Sequence, residues 1–290
     1  MGLCDEVRES CAGIAAGARW VGIDVDRLET IEPGPPPEVD REHHLWRGTP
    51  DELAAYWLTL DSINFGSGWF PTLRKREGLS GYMTVASGLT ERSTREGPWS
   101  PAELRELDAE TIARALGQDP DHELMDLYAR ALRDLGAFLG ERTPLEAVTA
   151  AGGSAERLAE ELAAGMPFFA DPGFYKRAQI VPSNLALAGV ADFHDLDKLT
   201  IFADNLVPHV LRVDGVLSYE RELAARIDAG ELLPEGSEER EIRACAVHAC
   251  EQIAARLCVP PRVLDLWLWN RGQESRYKAL PRHRTRTVFY

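Results

Sequence analysis

Thr49-Pro50-Asp51-Glu52 places a hydroxyl residue, a proline and a glutamate directly ahead of the apolar run Leu53-Ala54-Ala55-Tyr56-Trp57-Leu58. That order predicts a helix start. The hydroxyl can accept from a free backbone N–H of the first turn, proline loses nothing at the first helical position, and the glutamate can reach back to the capping residue. The same order returns at Ser100-Pro101-Ala102-Glu103 and Thr143-Pro144-Leu145-Glu146, while Ser154 and Ser237 stand where two further helices could open. Between the starts, apolar residues recur at helical intervals: Leu124, Leu127, Ala131, Leu132, Leu135 and Phe138, and later Ile242, Ala246, Cys250, Ile253 and Leu257. Strand-like alternation is scarce, with Tyr82-Met83-Thr84-Val85 and Arg286-Thr287-Val288-Phe289 the best candidates. The pattern predicts a mainly α fold, a single globular helical domain with few short strands. It disfavours a parallel-sheet nucleotide fold, and the recurring caps leave a helical solenoid as the structural rival.

Working outward, Glu32-Pro33-Gly34-Pro35-Pro36-Pro37-Glu38 is too rich in proline for a regular element. It predicts a linker over residues 32–42, between an N-terminal helical segment, 1–31, and a main body, 43–290. The chain's 290 residues, 44 % of them apolar, can bury a large core. Its 32 Lys and Arg against 47 Asp and Glu leave a net charge of −15. Holding a nucleic-acid polymer or an anionic membrane needs clustered cations, so both are disfavoured, whereas a small ligand with one phosphate is not. No apolar stretch approaches the roughly 18 residues of a spanning helix, and Met1-Gly2-Leu3-Cys4-Asp5-Glu6 lacks the basic-then-apolar order of a secretory signal. The expected location is cytoplasmic. Cys4, Cys11, Cys245, Cys250 and Cys258 form no CxxC pair and read as reduced, mostly buried thiols.

No Walker loop, GxGxxG after a strand, HExxH or GxSxG is present. His43 and His44 are adjacent and so point apart. His194 among Asp192, Asp195 and Asp197 resembles a metal cluster only superficially, since acidic loops are usually solvated. Two regions carry more. Asp61-Ser62-Ile63-Asn64-Phe65-Gly66-Ser67-Gly68-Trp69-Phe70 joins amide, carboxylate and aromatic groups with glycines, which would suit a flat, hydrogen-bonding ligand; a helix end packed on the core is the competing reading. In Leu199-Thr200-Ile201-Phe202-Ala203-Asp204-Asn205-Leu206-Val207-Pro208 an acidic residue lies in an apolar run, where an unpaired charge is costly. Asp204 is therefore a candidate catalytic carboxylate, or else a buried cap or ion pair, for which Arg243 could be the partner. Asp265 interrupts Val263-Leu264-Asp265-Leu266-Trp267-Leu268-Trp269-Asn270 in the same way.

At these residues the sequence resembles the queuosine salvage family, the queuosine 5′-phosphate N-glycosylases. The matching stretches are LDSINFGSGWF (60–70), FYKRAQI (174–180), LTIFADNLVPHVL (199–211), GSEEREIRACAVHACEQI (236–253), VLDLWLWN (263–270) and PRHRTRTVFY (281–290), in the family's order and spanning about residue 44 to the end. The resemblance implies a fold like that of helix-hairpin-helix DNA glycosylases, with Leu232-Leu233-Pro234-Glu235-Gly236-Ser237 compatible with the hairpin. It implies hydrolysis of the bond joining queuine to ribose 5-phosphate, without metal or cofactor and without a nucleic-acid polymer as partner. Asp204 becomes the catalytic carboxylate, with His44, Asn64, Phe65, Trp69, Lys198 and Asp265 as substrate-binding residues. Lys198, Arg177, His283, Arg284 and Arg286 are candidates for the phosphate. Asn270 stands where the family is expected to have aspartate, and His209 where glutamine is common, so neither receives a role. The rival from another class is a helical scaffold or nucleotide-binding protein without turnover.

Overall fold

The computed structural model describes all residues, 1–290, and is mainly helical. In chain order the elements are α1 (Leu3–Ala16), β1 (Val21–Ile23), α2 (Pro50–Ser62), α3 (Gly81–Glu96), α4 (Pro101–Arg105), α5 (Ala109–Leu116), α6 (Glu123–Leu139), α7 (Pro144–Thr149), α8 (Ala155–Gly165), α9 (Lys176–Leu187), α10 (Leu206–Val213), β2 (Leu217–Tyr219), α11 (Arg221–Asp228), α12 (Ser237–Leu257), α13 (Pro261–Arg271) and α14 (Ser275–Lys278). No helix is long and apolar enough to cross a membrane.

All three hydroxyl–proline–glutamate stretches form reciprocal capping boxes at the starts of α2, α4 and α7. At α2 the Glu52 carboxylate accepts from the Thr49 amide at 2.7 Å while Thr49 Oγ1 accepts from the Glu52 amide at 3.3 Å. Ser154 caps α8 through the Arg157 amide. Ser237 instead is the first residue of α12, after Gly236. The two strand candidates are not strands: Tyr82–Val85 lies inside α3, and 286–289 is irregular. The observed sheet is one antiparallel ribbon pairing Val21 with Tyr219, Gly22 with Ser218 and Ile23 with Leu217. Three residues are too few for a period of two to stand out in sequence.

The chain falls into two compact units. The first comprises Met1–Pro37, Pro172–Lys176 and Asp197–Thr287. Its centre is α12, whose Ile242, Ala246, Cys250 and Ile253 are buried and against which α1, α10 and α13 pack. The second comprises Glu38–Asp171, Arg177–Leu196 and Val288–Tyr290. There α6 buries Leu124, Tyr128, Leu132 and Leu135 and packs on α2, α4 and α5. Gly136 lets α4 approach α6: a Cβ at that position would lie 2.8 Å from the Arg105 backbone nitrogen.

Candidate active site

In the first unit, Leu199–Ala203 runs buried and irregular into α10, and Asp204 stands at the turn. Asp204 Oδ1 accepts from the amides of Leu206 at 2.7 Å and Val207 at 3.2 Å, which satisfies two donors that the helix start leaves free. The other carboxylate oxygen takes no hydrogen bond from the protein, and the residue is half-buried. One oxygen thus fixes the group and the second is available to a ligand. Arg243, the cation considered as its partner, supports the stretch through its backbone: Nε donates to the Ala203 carbonyl at 2.9 Å, and the guanidinium lies 3.9 Å from the Phe174 ring centre.

Asp265, on α13, is buried, and its Oδ1 accepts from the Phe202 amide at 2.8 Å. Burial, and after it the negative charge of Asp204, push its carboxyl up to about 7, against the pull of the Phe202 amide and Lys176. The Asp204 charge thus acts on Asp265; the first has an oxygen free for a ligand and the second is able to hold a proton near neutral pH. This is the arrangement that general acid–base chemistry and the stabilisation of a developing cation require.

Two cations of this neighbourhood escaped the sequence reading. Lys176 is buried and interacts electrostatically with Asp265; it immediately follows Tyr175, which holds a left-handed φ of +49°. Arg282 interacts with Asp204, and its guanidinium makes no hydrogen bond to the protein; burial lowers its pKa while Asp204 raises it. The only signal for either was its place in the stretches 174–180 and 281–290. Lys198 is exposed at the end of a short turn, and Arg284 donates to the Gly230 carbonyl at 2.7 Å. His283 is buried, and burial together with the charges of Arg243, His209, Arg282 and Arg212 pushes its imidazole down to about 3.

His44, Asn64, Phe65 and Trp69 belong to the second unit. His44 stacks on Trp57, ring centres 5.2 Å apart, and its Nε2 lies 2.9 Å from the Tyr82 hydroxyl. Asn64 follows α2, whose last turn holds the Asp61 carboxylate against Asn184 Nδ2 at 2.9 Å. Phe65 is enclosed, with Tyr128 edge-on at 5.0 Å and the Arg177 guanidinium 4.7 Å from its ring centre, so it supports the loop from within. Trp69 is also buried and donates from Nε1 to Glu123 at 2.6 Å. Arg177, a phosphate candidate by sequence, is sealed in this core and donates to the carbonyls of Ser62, Phe168 and Val288. The acidic loop near His194 is likewise committed: Asp195 accepts from Ser154 and the Ala155 amide, and Asp197 pairs with Arg262 at 2.7 Å.

The buried pair Asp265 and His283 makes a stability prediction with opposed signs. An unfolded Asp265 releases its proton above about 3.8 while the folded one keeps it to about 7, so its contribution falls as pH rises through that window. An unfolded His283 takes a proton below about 6.5 and the folded one only near 3, so its contribution falls as pH drops. Each slope is about 1.4 kcal/mol per pH unit, and they offset each other between roughly pH 4 and 6.5. Asp265→Asn keeps the acceptor for Phe202 and removes one slope. Urea denaturation at a series of pH values is expected to show the variant losing stability on acidification relative to the parent; identical profiles would refute the assignment.

Comparison with known proteins places the chain in a family. The chain is 36 % identical to a queuosine 5′-phosphate N-glycosylase/hydrolase of Sphaerobacter thermophilus, over 94 % of each chain. It is 32 % identical to the mouse protein of the same name, over 86 % of this chain and 85 % of that one, and 28 % identical to the bovine one over 98 % of both. The family profile of the queuosine salvage protein matches residues 44–290, which take in Asp204, Asp265, Lys176 and Arg282 together. With that coverage and those identities, the chain belongs to the queuosine salvage protein family.

Proposed function

We infer that the chain hydrolyses the N-glycosidic bond of queuosine 5′-phosphate and releases queuine for salvage into tRNA modification, with Asp204 as the catalytic carboxylate. The observation that carries the assignment is the Asp204 side chain itself, fixed through one oxygen to the first turn of α10 and open to a ligand at the other. Family membership supplies the reaction, since the relatives are named for it.

As the C1′–N bond breaks, positive charge grows on C1′ and the ring oxygen of the ribose. A carboxylate facing that charge stabilises it most in the transition state, where the charge is largest. Water gives its oxygen to C1′, keeps one proton as the new hydroxyl and surrenders the other, which ends on the departing base. A 7-deazaguanine lacks the N7 that purine glycosylases commonly protonate, so the proton reaches the base elsewhere. Asp265, which holds a proton near neutral pH, is positioned by chemistry to relay it.

His44, Asn64, Phe65 and Trp69 remain the proposed base-recognition set, with Phe65 and Trp69 acting as supports of their loop. Lys198 remains a proposed contact to the substrate, and Arg282 joins it for the phosphate because its donors are uncommitted. The net charge of −15 favours a free mononucleotide over a polymer. A cytoplasmic location, the helix-hairpin-helix likeness with 232–237 as its turn, and the division into 1–31, 32–42 and 43–290 are parts of the same proposal.

Purified protein incubated with queuosine 5′-phosphate is expected to release queuine, detected by mass spectrometry. Binding without release would make the chain a nucleotide-binding protein instead. Arg282→Met is expected to raise KM for the nucleotide about 10- to 100-fold, the worth of charge-assisted hydrogen bonds to a phosphate, with kcat within about threefold. An unchanged KM would remove Arg282 from the phosphate site.

A further inference from the structure

Residues 1–37 precede the stretch matched by the family profile, 44–290, yet they share a compact unit with Asp204 and Asp265. They reach the neighbourhood of the carboxylates at three points. Arg8, on α1, donates from Nη2 to the Lys198 carbonyl at 2.7 Å, at the head of the stretch that ends in Asp204, and its Nε is tied to Glu251 at 2.9 Å. Glu6, also on α1, accepts from the Tyr175 hydroxyl at 3.0 Å, beside Lys176. Beyond β1 the proline-rich stretch lies along α13. Trp267 Nε1 donates to the Pro35 carbonyl at 2.5 Å, Arg271 to that of Glu32, and Arg256 of α12 to that of Ile31.

The seat at Gly34 is specific. A Cβ there would lie 2.6 Å from both Cδ1 and Cγ of Trp267, closer than side-chain atoms pack, so the strap can bear on the indole only where it carries no side chain. Trp267 follows Asp265 by two residues, which on a helix turns the side chain about 200° and puts the two on opposite faces. The strap therefore presses the outer face of α13 while Asp265 is turned inward to the Phe202 amide.

We propose that the N-terminal segment, Met1–Pro37, is a brace that positions the catalytic carboxylates: α1 fixes the stretch leading into Asp204, and the strap over 31–36 fixes the helix that carries Asp265. Arg8, Gly34 and Trp267 are its positioning residues. The proposal rests on the reading of Asp204 and Asp265 as the reacting pair. Its physical basis is that a displacement of about 1 Å in a reacting group can lower a rate by about 100-fold, while ground-state binding elsewhere in the site is kept.

The test uses the full chain with Arg8→Met and, separately, Gly34→Val. Both are expected to lower kcat on queuosine 5′-phosphate by about 10-fold or more with KM within about threefold, at unchanged helix content. The Asp265 carboxyl titration, followed by carbon NMR, is expected to move by about half a pH unit or more, because its burial and its distance from Asp204 both change. Arg8→Lys, which keeps a donor for the Lys198 carbonyl, is expected to recover most of the lost rate. An unmoved titration in folded variants overturns the brace, whatever the rate does. If Gly34→Val does not fold, Trp267→Phe, which drops the bond to Pro35 and trims the indole beside Gly34, carries the same expectations. If the parent releases no queuine, the assigned reaction fails, and the titration still decides whether the brace exists.

Discussion

Asp204→Asn is expected to hydrolyse queuosine 5′-phosphate about 100- to 1,000-fold more slowly than the parent, with KM little changed and the melting temperature preserved. The substitution is chosen because it separates the two jobs the side chain holds. Asparagine keeps Oδ1, so the amides of Leu206 and Val207 keep their acceptor and the start of α10 stays capped. What disappears is the charge. In the transition state the ribose carries positive charge that the carboxylate meets and an amide does not, and losing one preorganised electrostatic partner of this kind costs about 3–4 kcal/mol, or 10²- to 10³-fold in rate. An amide that turns its NH₂ toward the sugar adds repulsion. The ground-state sugar is neutral, so substrate binding changes little and the effect falls on kcat. Single-turnover assays with saturating enzyme isolate that step. Full turnover by a folded Asp204→Asn protein would remove Asp204 from the mechanism even if queuine is released.

Helix starts were legible because a capping box is local: Thr49 and Glu52, Ser100 and Glu103, Thr143 and Glu146 each complete their bonds within one turn. Asp265 was legible as a buried carboxylate because a lone acid inside Val263–Trp269 has few other places to go, and its partner, the Phe202 amide, is the long-range part that no pattern supplies. Lys176 sits beside Arg177 and Arg282 within the basic run to Arg284, and the cations of such runs are equivalent in a sequence. The fold separates the first pair: Arg177 turns into a core of carbonyls and rings, while the Lys176 charge acts on Asp265. Phe65 and Trp69 show the converse, since aromatic content suggests a stacking platform and only packing reveals that both rings are enclosed. The proline-rich stretch is irregular, as its composition requires, but its seat on Trp267 joins residues too far apart in the chain for any local signal.

Arg177→Met is expected to cost about 3–5 kcal/mol of stability, although methionine has a similar reach and packs well. Burial works against the arginine: it pushes the guanidinium down to about 9, so the charge persists at pH 7 at a desolvation cost that methionine would not bear. Relief of that cost favours the variant. Against it stand the carbonyls of Ser62, Phe168 and Val288, which take hydrogen bonds from this one side chain, the first fully buried and the other two partly so. Each buried acceptor left unpaired costs about 1–3 kcal/mol, and the contacts with the Phe65 and Phe169 rings are lost as well, so the carbonyls decide the sign. Lysine does not rescue, because a single ammonium cannot reproduce a planar fork that reaches three carbonyls at once. The consequences extend past stability. Ser62 closes α2 just before Asn64, and Tyr290, two residues beyond Val288, accepts from the Gly66 amide at 3.0 Å, so the clamp also holds the loop proposed to read the base. Chemical denaturation of Arg177→Met and Arg177→Lys measures the loss. Should both unfold at the parent's midpoint, the three carbonyls have found other donors and the clamp has no energetic role.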